Sequence, residues 1–209
     1  MSISGVSEFH FVIRNGKWDI PAYYRSGNKY NYNICYHIAD YDYGVPFTIN
    51  QAYHFYKDKI VVLGFPDNLF KPEYAFSRLI NELDEKENIS ISLGLFPASR
   101  PEKCDMVDFD EYNKITEIKI KSSDTKNLKY AWVIAAWKPK FSAFLNSFVT
   151  NKLATKSNTE LTKMEYHMGD VIISAIESGM KVQGVIFSEG RFIDIGTPED
   201  LSISNSFFN

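Results

Sequence analysis

The sequence has no glycine-rich loop. Its 11 glycines are scattered over 209 residues, and Tyr43-Gly-Val-Pro46 is not a phosphate cradle. Backbone N–H groups at the head of such a loop are a common grip on a nucleoside triphosphate, and no grip of that kind is legible here. Cysteine is nearly absent. Cys35 and Cys104 lie far apart without CxxC spacing, which fits a reducing cytoplasm better than an exported disulfide scaffold. There is no excess of basic charge: 23 Lys and Arg against 26 Asp and Glu leave a net charge of -3 and no basic stripe, so a general nucleic-acid binder is not expected. Long hydrophobic runs are also missing. The longest, Tyr130–Trp137, is far too short to span a bilayer. The start of the chain places no Lys or Arg before an apolar run, so no signal peptide is expected. His10, His37, His54 and His167 show no recognised metal spacing.

What is present reads as an α/β chain of one domain, residues 1–209, with neither repeat nor linker. The hydrophobic content of 44% is ordinary, and the aromatic content of 15% points to aromatic-rich packing or a contact surface. Residues 8–13 and 32–38 read as strands. Thr48-Ile-Asn-Gln51 has the form of a capping box, which predicts a helix from there through Phe55. Val61–Leu63 reads as a short buried strand of the parallel type, and residues 192–195 as a second short strand. A further helix is expected after Asp67, with Pro72 in its first turn and Phe76, Leu79, Ile80 and Leu83 on one apolar face. Residues 89–95 read as a strand. Residues 106–109 and 115–120 flank the polar turn at 110–114 as a β-hairpin; the acids Asp105, Asp108, Asp110 and Glu111 read as its solvated edge. Tyr130–Trp137 is a buried strand. Residues 139–148 and 170–177 read as helices, the second closed by Gly179. The stretch 151–162, rich in Ser, Thr, Lys and Asn, reads as a surface loop.

Two acids stand at the ends of apolar runs. Asp67 follows Val61-Val-Leu-Gly-Phe-Pro, and Asp194 sits in Phe192-Ile-Asp-Ile-Gly-Thr-Pro-Glu-Asp-Leu201. Ligands of open α/β sheets sit beyond the carboxyl ends of strands. A pair so placed can hold one hard cation against a phosphate. The alternative is that Asp67 caps a helix and Asp194 starts a turn.

Leu63-Gly64 leading to Asp67-Asn68, then Gly169-Asp-Val-Ile172, Gly184-Val-Ile-Phe187 and Asp194-Ile-Gly-Thr-Pro198, in this order along the chain, resemble the sugar-phosphate nucleotidylyltransferases. The glucose-1-phosphate thymidylyltransferase-like branch looks closest, and Arg14 to Tyr23 and Leu93-Gly-Leu-Phe-Pro97 look like a bacterial subgroup of it. The resemblance runs from about Gly5 to Leu201. It implies a Rossmann-like nucleotidyltransferase fold: a mostly parallel central sheet flanked by helices, with a β-hairpin insertion. It also implies that the first strand is missing. The family opens with a strand, a G-x-G-T-R-like loop and a Lys-Pro segment around the triphosphate, whereas this chain starts at Met1-Ser-Ile-Ser-Gly-Val6 and matches only after them. That strand lies between the ones that residues 9–13 and 60–63 resemble, so its absence is expected to leave a gap or two unpaired edges.

The resemblance further implies transfer of a nucleotidyl group from a nucleoside triphosphate to a sugar 1-phosphate, with pyrophosphate released. Asp67 and Asp194 would ligate Mg2+. Lys121 would meet the sugar phosphate, although Ile120 and Ser122 replace the Glu and Pro that flank the family's lysine. Gly44 falls at the glycine of the base-reading loop, and Ala39 stands where the family's base-contacting glutamine would be. Tyr130 and Trp132 lie on the strand bordering the sugar pocket. Each residue also has a plainer role: a solvated lysine, a tight-turn glycine, core aromatics. A non-catalytic sugar-phosphate-binding module stays open as the alternative function, and a homo-oligomer as an assembly.

Overall fold

The apolar run Tyr130–Trp137 forms β8, and all but its first residue are buried. A strand buried on both faces must give its backbone groups to neighbours on both edges. One edge of β8 carries β5 (Ile91–Pro97) along its length. The other is shared by β3 (Val61–Leu63), opposite Ala135 to Trp137, and β6 (Met106–Phe109), opposite Tyr130 and Ala131. Beyond β5 lies β9 (Val182–Ile186), and beyond β6 lies β7 (Ile115–Lys119), giving a six-stranded sheet in the order β7-β6-β8-β5-β9 with β3 branching from β8. This is the computed structural model of the chain, and it describes residues 5–6, 8–125 and 127–204, the side chain of residue 203 excepted. Residues 1–4, which enter the reading of the N-terminus, lie outside the described residues.

The expected α/β class holds. Within the sheet, however, only β5 and β9 pair in parallel, so it is mixed rather than mostly parallel. The reason is β8, which returns after the β6–β7 hairpin and runs against β3, β5 and β6. The hairpin forms as expected, with Asp110 Oδ1 accepting Tyr112 N and Lys114 N at 2.9 Å each. Its turn docks on β9, where Gly184 N donates to Asn113 O at 2.7 Å.

Helices cover both faces. On one, α4 (Ala75–Glu85) buries Phe76, Leu79 and Leu83 against Ile134, Ala136 and Val185. On the other, α5 (Pro139–Thr155) and α7 (Met168–Glu177) bury Phe141, Leu145, Val171 and Ile172 against Trp137 and Leu93. Each such side chain contributes about 1.5–3 kcal/mol by leaving water.

Before this sheet in the chain stands a separate ribbon. β1 (Glu8–Arg14) and β2 (Asn33–Ala39) pair in parallel, joined through α1 (Asp19–Tyr24), and among the described residues no hydrogen-bonded ladder connects them to the six-stranded sheet. Among the described residues the second edge of β1 pairs with no strand, and β3 pairs only with β8. The ribbon is tied in by side chains. Asp40 N donates to Gln51 Oε1 at 2.7 Å, and the Lys59 ammonium meets Glu8.

Three expected elements differ. α2 (Val45–Asn50) begins earlier than the Thr48 capping box implies, because Gly44 at φ 106 is its N-cap and Pro46 sits in its first turn. Thr48 and Gln51 are spent elsewhere, on Gly44 O and on Asp40 N, and α3 (Tyr53–Tyr56) is a separate turn of helix. Asp67 leads into β4 (Asn68–Lys71), not a helix. Its partner β10 (Arg191–Asp194) runs antiparallel to it, and α4 starts only at Ala75. The stretch read as a loop is helical: α5 continues to Thr155, and α6 (Asn158–Lys163) follows, capped reciprocally by Ser157 and Glu160.

Candidate functional site

The β4–β10 ribbon brings the two distant acids together. Asn68 faces Asp194 in its register, and Ile195 N donates to Asp67 O at 2.8 Å, so Asp67 and Asp194 sit side by side where the two strands meet. Gly196 N holds Asp194 Oδ1 at 2.8 Å. A Cβ placed on Gly196 would lie 3.0 Å from Asp194 Oδ1 and 3.9 Å from Asp67 Oδ2, which puts the two carboxylate oxygens at most about 7 Å apart; direct ligation of one Mg2+ by both requires about 4 Å, given Mg–O bonds of about 2.1 Å, and a wider pair reaches the ion through its bound water. The next turn is fixed by the start of α8 (Pro198–Ser204). Thr197 Oγ1 accepts Asp200 N at 3.1 Å, and Arg100 Nη2 donates to Asp200 Oδ1 at 2.8 Å. The Thr197 hydroxyl and the Arg100 guanidinium hold the Asp200 carboxyl below the usual carboxylate range.

Both acids are oxygen donors in no ion pair seen among the described residues, so the pair suits a hard divalent ion such as Mg2+. No third His, Cys, Asp or Glu joins them there among the described residues. The remaining positions of such an ion would fall to water and to a phosphate.

A wall of aromatic and polar residues leads away from this pair. Phe65, two positions before Asp67, packs on Trp132 of β8 with ring centres 6.3 Å apart, and Trp132 N donates to Asp105 O at 3.2 Å. Asp105 was expected on a solvated edge; it is instead half-buried against the first turn of α7. A Cβ on Gly169 would meet Asp105 Oδ2 at 3.2 Å and Ile120 Cγ1 at 2.8 Å, so only glycine permits this approach. Burial pushes the Asp105 carboxyl up, against the pull of His167 and Lys121. Lys121 lies just past β7 at φ 40. The structure thus brings Lys121 into the neighbourhood of Asp105 and α7. The sequence signal for this meeting was Gly169-Asp170, a glycine one residue before the acid that caps α7 through His167 N at 2.8 Å.

Gly44 and Tyr130 are placed by packing. A Cβ on Gly44 would fall 2.1 Å from Tyr166 O, so the glycine is required for the contact with the segment before α7. Tyr130, half-buried at the head of β8, has its ring 6.0 Å from that of Phe109 and 5.2 Å from Lys129 Nζ.

No family model and no curated protein sequence matches the chain. Solved structures do. A glucose-1-phosphate thymidylyltransferase of Bacillus anthracis, solved with sucrose, superposes with a TM-score of 0.73 at 18% identity, over 91% of this chain and 71% of that one. The inositol-1-phosphate CTP transferase of T. maritima does so at 0.73 and 21% identity, over 95% and 74%. A UDP-glucose pyrophosphorylase complexed with UDP-glucose gives 0.72 at 12% identity, over 98% and 82%. The chain has the fold that these sugar-1-phosphate nucleotidylyltransferases share.

Proposed function

We propose that this chain carries the cation and sugar-1-phosphate half of a nucleotidylyltransferase cleft. With a nucleoside triphosphate beside it, that half transfers a nucleotidyl group to a sugar 1-phosphate. The observation that carries the reading is the convergence of Asp67 and Asp194, far apart in sequence, onto Gly196. In the reaction an acceptor phosphate oxygen attacks the α-phosphorus, the bond to the β-phosphate oxygen breaks, and pyrophosphate leaves. Both reactants are polyanions, so such a displacement needs charge neutralisation more than acid or base catalysis. Mg2+ supplies that neutralisation when bound, and Asp67 and Asp194 are the residues that would hold it. Lys121 is the point charge for the sugar phosphate. Gly44 would lie by the nucleotide and Tyr130 by the sugar, each in addition to its packing role. No described helix is long and apolar enough to cross a membrane, and a cytoplasmic setting suits these substrates.

A second reading, a sugar-phosphate binder without turnover, is favoured by the lack of any glycine-rich stretch to cradle the β- and γ-phosphates. Calorimetric titration of glucose 1-phosphate with Mg2+ tests the shared premise. Asp67→Ala and Asp194→Ala are each expected to weaken binding about tenfold, the effect of losing roughly 1.4 kcal/mol; unchanged affinity in both would overturn the proposed site. The 209-residue chain alone is expected to release no pyrophosphate from any triphosphate and hexose 1-phosphate. Sustained release that Asp67→Ala abolishes would show a self-sufficient enzyme instead.

A further inference from the structure

Four residues of the β1–β2 ribbon that carry metal-ligating side chains share one of its faces. In a parallel pair, residues in register project to the same side, as do alternate residues of each strand. His10 stands opposite Cys35, and Val12 opposite His37, so Glu8, His10, Cys35 and His37 occupy a single face. The two imidazoles meet there, with His10 Nδ1 2.8 Å from His37 Nε2.

Glu8 sets the tautomer. Its Oε1 lies 2.7 Å from His10 Nε2 and is itself held by Lys59. An ionised carboxylate only accepts, so Nε2 carries the hydrogen. In neutral His10 the lone pair is then on Nδ1, aimed at His37 Nε2. A carboxylate on the far nitrogen of a histidine, fixing its ring and its tautomer, is the usual support of a metal-ligating imidazole. At 2.8 Å the two nitrogens share one proton. Replacing that proton by a tetrahedral Zn2+, with Zn–N bonds of about 2.0–2.1 Å, needs a nitrogen separation of about 3.3 Å, an opening of roughly half an ångström.

From this geometry we propose that His10 and His37 chelate a borderline divalent cation of the zinc type, with Glu8 as the outer-sphere partner. No group of three His, Cys, Asp or Glu is preassembled around a cation among the described residues, so water completes the set. His37 lines a polar cavity of about 530 Å3 together with Tyr36, Asp40, Asn50, His54 and Asn146. The cation would staple β1 to β2. This is where the fold needs a staple: a two-stranded ribbon is marginal by itself, and among the described residues this one has no backbone pairing to the main sheet. Imidazole ligands select zinc, copper and nickel over magnesium, so the site is chemically distinct from the Asp67–Asp194 pair.

Equilibrium titration of the full chain with Zn2+ alone, read by competition with a chromogenic chelator and by thermal unfolding, tests this. One Zn2+ is expected to bind and raise the unfolding midpoint. His10→Gln and His37→Gln should each weaken binding at least tenfold, and Glu8→Gln should weaken it about tenfold, as outer-sphere losses do. Asp194→Ala and excess Mg2+ should leave it unchanged, which separates this outcome from failure of the proposed transferase site. Zn2+ affinity indifferent to both histidine variants would overturn the proposal. Should a variant fail to fold, nitrogen NMR of the wild type decides. His10 Nδ1 and His37 Nε2 should shift together on adding Zn2+; shifts confined to His54 and His167 would refute the site.

Discussion

Asp105 shows what a single side chain contributes at the wall between Lys121 and α7. Its carboxyl is pushed up first of all by burial, and the opposing pull of His167 and Lys121 does not offset that. The folded chain therefore holds this proton more tightly than the unfolded chain does. The sign follows from linkage. The group's favourable contribution is complete below the ordinary value of 3.8 and is lost as pH rises through the raised folded value, above which a charged carboxylate sits half-buried. Asp105→Asn keeps the shape and removes that charge. The variant is expected to unfold a few degrees higher than wild type at pH 7, an effect on the order of 1 kcal/mol, with the difference shrinking toward zero below the ordinary carboxylate range. Paired melts across pH check this; a difference that does not vary with pH would mean that packing, not charge, sets the cost of Asp105.

Among the elements, α6 depends most plainly on local chemistry. Ser157 N donates to Glu160 Oε2 at 2.8 Å and Ser157 Oγ accepts Glu160 N at 3.3 Å, closing a capping box over a helix that buries Leu161. Ser157→Ala is expected to cost about 1 kcal/mol and to speed proteolysis between α5 and α7; an unchanged midpoint with unchanged cleavage would show that Leu161 alone holds the helix. The Ser157-Asn-Thr-Glu160 spacing is legible in the sequence, yet the surrounding polar composition reads as loop. Continuous apolar runs were the legible elements. Val61–Leu63 and Tyr130–Trp137 have the same bounds in the sequence reading and in the fold, since short continuous apolar runs have few other solutions. β4 was not legible. Four residues offer too little alternation, and their partner β10 lies over a hundred residues away in sequence. The meeting of Asp67 with Asp194 was likewise legible through resemblance, not spacing. The meeting of His10 with His37 depends on strand register, which the sequence does not state.

For the molecule as a whole, the open question of assembly is one of strand edges. β1 shows one unpaired edge and β3 another among the described residues, and the Lys59–Glu8 pair ties the start of β1 close to the entry of β3. β3 is wholly apolar in sequence, yet Val61, Val62 and Leu63 are each only half-buried, although they pack against the clusters on both faces of the sheet. Unpaired backbone groups must find water or another partner, and apolar edges recruit strands from other chains. The chain alone is therefore expected to self-associate or to unfold at low temperature. An extended apolar segment running into a glycine-rich loop, joined ahead of β1 or added as a peptide, should pair between β1 and β3, raise the unfolding midpoint and introduce nucleotide binding. Sedimentation and thermal unfolding with and without that segment measure both effects. A cooperative monomer whose midpoint ignores the segment would show that side-chain ties such as Asp40–Gln51 and Lys59–Glu8 suffice, and that the ribbon and the sheet are stable neighbours without a strand between them.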